Sequence, residues 1–188
     1  MLMAFGQFFA HDVSLTPNRP LSRIEINQGI DMTTGALPID VPDNDPFYGP
    51  FNHTKIDFQR SVPCSRCRSG SREQHNSRTS YIDASHVYGV NEDTARVLRE
   101  FRGGLLRSLS LNGEALLPRS MDPAMDNCSQ HADTGMCFHA GDARTNQNVG
   151  QVTMHTIWMR EHNRIAAKLR AVNPGWDDER LFQVTRQE

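Results

Sequence analysis

The chain has 188 residues, 37% of them apolar, and a formal net charge of −2 at neutral pH. That is enough apolar material for one domain with a real core, and a charge so close to zero leaves no electrostatic footprint for nucleic acid or an anionic surface. No run reaches the roughly 20 apolar residues that a membrane span needs.

The opening run MLMAFGQFFA is apolar, but it lacks a cationic segment and a small-residue cleavage site and leads directly into His11 and Asp12. It therefore reads as a helix over Leu2 to Val13 rather than a signal peptide. On such a helix Gln7 and His11 stand four residues apart and project from one face. From Ser14 to Ser77 the chain is rich in Pro, Asn, Asp, Gly and Ser, with seven prolines from Pro17 to Pro63, which excludes a long helix. Loop with short extended pieces is expected there, Arg23 to Ile26 among them.

Four cysteines, Cys64, Cys67, Cys128 and Cys137, allow three pairings. No Cys/His quartet has the spacing of a structural zinc site. Cys64 and Cys67 alone could form a redox pair, though nothing nearby suggests a thioredoxin-like unit, and the local loop from Cys128 to Cys137 reads as a disulfide. Asn52-His53-Thr54 and Asn127-Cys128-Ser129 both satisfy the glycosylation pattern, consistent with an oxidising, extracellular route.

Further along, Thr79, Tyr81, Asp83 and Ser85 put oxygen side chains on every second residue, so an extended loop would turn Thr79, Asp83 and Ser85 to one face. Such hydroxyl, carboxylate and carbonyl donors suit a hard cation; the alternative is a turn of self-bonded side chains. Asn91 is placed to cap a helix over Thr94 to Phe101, with Val97, Leu98 and Phe101 on one side and Gly103-Gly104 ending it. Leu105 to Leu111 and Glu114 to Leu117 suggest a hairpin across Asn112-Gly113. Ala140-Gly141-Asp142-Ala143-Arg144 sets an arginine between a turn and the longest helix, about Gln151 to Val172, closed by Asn173-Pro174-Gly175. Asp177 caps a last segment in which Leu181, Phe182 and Val184 are still apolar when the sequence reaches Glu188. No repeat is present.

Gly6 to Asp12, Thr79 to Ser85, Ala140 to Arg144 and Arg160-Glu161-His162-Asn163-Arg164 together resemble the animal haem peroxidase superfamily, in the family's order and along the whole chain. Taken singly, His11 reads more readily as a core histidine and Arg144 as a surface charge; their joint occurrence in family order reverses that. The resemblance implies a mainly α fold with long irregular loops, residues 1–188 forming a partial peroxidase domain truncated before its proximal-histidine part. It implies haem b and Ca2+ as cofactors. His11 would be the distal acid/base group, Arg144 the guanidinium facing the departing peroxide oxygen, and Gln7 the pocket glutamine that organises water and halide. Calcium would take Asp12, Thr79, the Tyr81 carbonyl, Asp83 and Ser85, tying the loop to the catalytic helix.

The sequence departs from the family at the haem attachment points. Ala10 and Gln147 stand where ester-forming carboxylates are found, and Asn148 where myeloperoxidase has a methionine, so non-covalent haem is expected. His155 and His162 match non-ligand positions of the long helix, and the iron-ligating histidine lies on a later helix, beyond the equivalent of Glu188. The 188-residue chain alone is accordingly expected to be inactive, a fragment or partial gene model of an extracellular enzyme. That enzyme would use hydrogen peroxide to oxidise phenolic or halide donors, in response to oxidative stress. Two rivals are a catalytically silent peroxidase-like module with a matrix or cell-surface partner, and a calcium-binding module without haem function.

Overall fold

The helix α1, Leu2–Val13, forms from Leu, Met, Ala, Phe and Gln with no β-branched residue before its last position. The Ser14 hydroxyl closes it on the Ala10 carbonyl at 3.0 Å. The computed structural model describes residues 2–18, 35–64, 71–123, 126, 128 and 136–188. Arg23 to Ile26, Cys67 and Asn127 lie outside the described residues. Two compact units are formed, Met1–Ser14 with Arg78–Glu188, and Leu15–Ser77.

The smaller unit carries little regular structure, as its prolines require. Strands β1 (Ile39–Asp40) and β2 (Lys55–Ile56) pair antiparallel, flanking a 3-10 turn at Gly49–Phe51. Ala36 and Val41 are buried, Asn52 is exposed and Cys64 is disulfide-bonded.

The larger unit is helical. After α1 come α2 (Ser85–Tyr88), α3 (Glu92–Leu98), a hairpin of β3 (Leu109–Leu111) and β4 (Glu114–Leu116), a 3-10 helix at Ala143–Gln147, α4 (Val149–Val172) and α5 (Asp178–Gln187). Their core joins Phe8, Val87, Tyr88, Leu98, Leu106, Leu117, Phe138, Met154, Met159 and Phe182. Burying a side chain such as Phe8 contributes about 2 kcal/mol.

The helix caps follow the sequence. Asn91 accepts from Thr94 N, Asn148 from Gln151 N and Asp177 from Arg180 N. The hairpin turns at Asn112 and Gly113, both at positive φ, with Leu109 opposite Leu116. Cys128 and Cys137 form a disulfide.

Two expectations need correction. The helix α3 stops at Leu98, not Phe101, because Arg99 turns extended and bridges Leu106; Val97 and Phe101 are left about half exposed. On α4 the buried positions include Gln151, His155, Thr156 and His162, whereas Ile157 is 47% exposed. The buried face of α4 is therefore partly polar.

Two glycines permit close approaches. A Cβ on Gly141 would lie 2.4 Å from Gly89 N and 2.7 Å from His86 O, so only glycine lets this strand of chain lie against α2. Gly104, at φ +72, brings its backbone against Leu181 of α5.

Candidate active site

The helix α1 carries Gln7 and His11 on adjacent turns, as its periodicity predicts, and buries Phe8, His11 and Asp12. The Phe8 ring packs edge-on against His86 and His155, with centroids 4.1 and 4.9 Å away. This wedge fixes the rotation of α1 about its axis. His11 is 6% exposed, and its Nδ1 is buried with no hydrogen-bond partner. Burial, reinforced by the Arg144 guanidinium, lowers the His11 pKa to about 4. The imidazole is neutral at physiological pH and free to accept a proton.

Arg144 reaches the same place from the 3-10 helix. Its Nη2 donates to the His11 carbonyl at 3.0 Å and its Nη1 to the Ser14 carbonyl at 2.9 Å. Asp142 caps that 3-10 helix through Arg144 N and takes Arg144 Nε and Nη2 on its carboxylate. Arg78 approaches the same carboxylate, with Nη2 2.7 Å from Oδ2. Burial alone would raise the Asp142 pKa, but the hydrogen bonds from Arg144 and the charge of Arg78 outweigh it and hold it at about 2. A guanidinium has five N–H donors; with Nε, both Nη2 hydrogens and one on Nη1 engaged, one Nη1 hydrogen remains.

Gln7 is half-buried. Its Nε2 donates to Gln147 Oε1 at 3.0 Å and its Oε1 accepts from Asn148 Nδ2 at 3.1 Å. Ala10 is exposed on the same helix. Neither Ala10 nor Gln147 offers a carboxylate for an ester to a porphyrin.

Asp12 is 2% exposed and bonds to the start of α2. Its carboxylate accepts from Ala84 N at 3.1 Å, Ser85 Oγ at 3.4 Å and His86 Nδ1 at 2.9 Å. The segment before α2 is bent rather than extended. Asp83 Oδ1 accepts from Ser85 N at 3.0 Å, Thr79 Oγ1 donates to the Tyr81 carbonyl at 3.3 Å, and Ala84 takes a left-handed φ of 55°. Asp12, Asp83 and Ser85 are thus brought together, with Thr79 and Tyr81 O as a neighbouring pair. Tyr81 is 76% exposed. The atoms of this set are hard oxygens of the kind calcium takes, but Thr79 with the Tyr81 carbonyl and Asp83 with Ser85 N are bonded to each other, as in the self-bonded turn that was the alternative.

The Arg160 to Arg164 motif has a different task. Arg160 Nε donates to the Ala115 carbonyl at 2.6 Å, Asn163 brackets both Leu106 N and Leu106 O, and Glu161 pairs with Arg164. His162 Nε2 contacts the Gly104 carbonyl at 2.8 Å, so Nε2 carries the hydrogen and Nδ1 accepts from Tyr88 OH at 2.9 Å. Burial raises the Tyr88 pKa to about 12 and keeps the phenol a donor. His155 is fully buried, with Nε2 3.3 Å from Thr145 Oγ1. Both histidines serve packing and hydrogen bonding, as their positions suggest.

The sequence model for animal haem peroxidases matches residues 1–188. The chain belongs to the animal haem peroxidase family. It is 36% identical over 203 residues to chorion peroxidase of Aedes aegypti, with all of this chain matched to 25% of that protein. Against myeloperoxidase of Mus musculus the identity is 37% over 204 residues, covering all of this chain and 28% of the relative. Among solved structures, peroxidase A from Dictyostelium discoideum superposes with a TM-score of 0.75 at 29% identity, over 97% of this chain and 36% of that one. The fold is the mainly helical peroxidase fold. The chain spans about a quarter of the length of these curated relatives.

Within this peroxidase scaffold, sequence reasoning overlooked Arg78, Asp142 and His86, which hold Arg144 and Asp12, and it treated Gln147 and Asn148 only as missing attachment points. Asp142 was detectable, because an aspartate two residues before Arg144 is an N-cap pattern. The pairing of Arg78 with Asp142 spans 64 residues and leaves no local trace.

Proposed function

We propose that this segment forms the distal wall of a haem peroxidase site, in which His11 is the acid/base group, Arg144 stabilises charge and Gln7 orients small ligands. The juxtaposition of a neutral, partner-free imidazole at position 11 with the Arg144 guanidinium carries this reading. The unpartnered, buried Nδ1 of His11 and its lowered pKa fit a haem pocket, where the ring must stay uncharged until peroxide arrives. A bound haem supplies the redox-active iron at which the peroxide O–O bond is cleaved.

The imidazole of His11 takes a proton from one peroxide oxygen and returns it to the departing oxygen. The remaining Nη1 hydrogen of Arg144 stabilises the negative charge that collects there; a donor in this position is typically worth roughly 3 kcal/mol. The hydrogen bonds from Arg144 to the His11 and Ser14 carbonyls hold the two groups in register. Asp12, Thr79, the Tyr81 carbonyl, Asp83 and Ser85 hold calcium, so the ion's site is continuous with the residue next to His11. Haem b is held non-covalently, hydrogen peroxide is the oxidant, and phenols or halides are the electron donors. The two glycosylation patterns and the Cys128–Cys137 disulfide support an extracellular setting.

The natural protein titrated with haemin should give a stoichiometric Soret band and oxidise guaiacol when peroxide is added. Acid–acetone should strip the haem from the polypeptide. Failure to bind haemin would overturn the peroxidase reading, and haem that stays with the polypeptide would overturn non-covalent attachment.

A further inference from the structure

The carboxylate of Asp142 is shared by two guanidiniums, one two residues along the chain and one 64 residues before it. Its Oδ1 accepts from Arg144 N at 2.8 Å and Arg144 Nε at 3.0 Å, and its Oδ2 from Arg144 Nη2 at 2.6 Å. Arg78 places Nε at 2.9 Å and Nη2 at 2.7 Å from that same Oδ2. The side chains of Arg78 and Asp142 are 7% and 1% exposed, so solvent ions screen the cluster weakly. The Asp142 carbonyl is fixed as well, by Thr145 Oγ1 at 2.7 Å. A pair of Asp142 and Arg144 alone would be neutral. With Arg78 the three groups carry one net positive charge, and Arg144 is the member that reaches the His11 carbonyl.

We propose that Arg78 is a positioning residue: by sharing the Asp142 carboxylate it anchors the group that orients Arg144 and leaves the Arg144 guanidinium incompletely neutralised, with positive charge to spare for an anionic oxygen or ligand. This role rests on the reading of Arg144 as part of the distal wall of a haem site. Arg78 acts through Asp142 and Arg144. Both of its contacts fall on one oxygen, so it serves as a charge rather than as a two-pronged clamp, and a lysine ammonium can stand in for it. Arg78→Met removes the charge but leaves Asp142 paired one-to-one with Arg144, so no buried carboxylate is stranded and the fold is retained. Arg78→Lys keeps the charge.

The probe is fluoride, an anion that binds ferric haem and accepts hydrogen bonds, titrated into the natural haem-loaded protein without peroxide and followed by the Soret shift. In Arg78→Met the dissociation constant should rise about tenfold, the scale of one weakly screened charge acting at a distance. In Arg78→Lys it should stay within about threefold of the unmodified protein. A double-variant cycle shows the route. In the Arg144→Leu background, Arg78→Met should change fluoride affinity by less than about twofold, because the residue through which it acts is gone. Unchanged affinity in Arg78→Met, an equal loss in Arg78→Lys, or an undiminished loss in the Arg144→Leu background overturns the proposal. If Arg144→Leu by itself leaves fluoride affinity unmoved, the distal reading of Arg144 fails, and the role of Arg78 with it.

Discussion

The two ends of α4 treat buried histidine in opposite ways. At its C-terminal half, His162 has both nitrogens satisfied, by Tyr88 OH and the Gly104 carbonyl, and Asn163 saturates both backbone groups of Leu106. At its N-terminal half, His155 has Nδ1 buried without a partner, and His11 Nδ1, His86 Nε2 and Gln151 Oε1 are left in the same condition nearby. Leaving a buried polar atom unsatisfied costs about 1–3 kcal/mol. The better-satisfied end, where Arg99 Nε over Phe182 is the buried atom without a partner among the described residues, is built for stability. The under-satisfied end keeps hydrogen-bonding capacity in reserve beside the proposed haem face, which is where unpaired groups are expected at a functional site.

The largest effect expected from breaking this contrast is at Arg144. In Arg144→Leu, peroxide turnover by the natural haem-loaded protein should fall about 100-fold or more, and a loss below fivefold would leave the guanidinium a purely structural clamp for Asp142. At the better-satisfied end, Asn163→Ala strands Leu106 N and Leu106 O. Stability by urea unfolding should drop by roughly 2 kcal/mol, while turnover per folded, haem-loaded molecule stays unchanged.

A smaller and graded effect should come from acid. Burial, with a lesser push from His86, lowers the His155 pKa to about 3 from its ordinary 6.5, so between those values the unfolded chain binds a proton that the folded chain refuses. Stability is complete above pH 6.5 and falls as pH drops toward 3, by roughly 1 kcal/mol per pH unit for this group. Asp142 adds to the loss only between its ordinary 3.8 and about 2. His155→Leu should flatten the slope between pH 6 and pH 4 in urea titrations. His11, whose pKa is lowered to about 4, shares this window, so an unchanged slope would mean that His155 is not among the groups that resist protonation.

Much of this architecture was legible in the residues themselves. The helix α1, the caps at Asn91 and Asp177, the hairpin turn at Asn112-Gly113 and the Cys128–Cys137 loop each depend on neighbours within a few positions. The end of α3 was misjudged because Phe101, one turn after Val97, looked like part of the same apolar face. A bridge from Arg99 to Leu106 competes for the chain, and Arg99 turns to Asp178 and Glu179 of α5, about 80 residues away. The buried face of α4 was blurred for a related reason. Gln151, His155 and His162 are polar by composition and buried only because Ala4, Thr145, Tyr88 and Gly104 meet them. At the candidate site, Gln7 and His11 followed from helical spacing. Their partners Gln147, Asn148 and Arg144 are more than 130 residues distant and had no local signature.

The most direct measurement is the rate at which peroxide reacts with the natural haem-loaded protein when His11 is replaced by alanine, followed by stopped-flow absorbance of the Soret band. If His11 moves the proton between the peroxide oxygens, His11→Ala should slow that reaction by about 100- to 10,000-fold with haem still bound. A rate within threefold of the unmodified protein, at equal haem occupancy, would contradict the assignment.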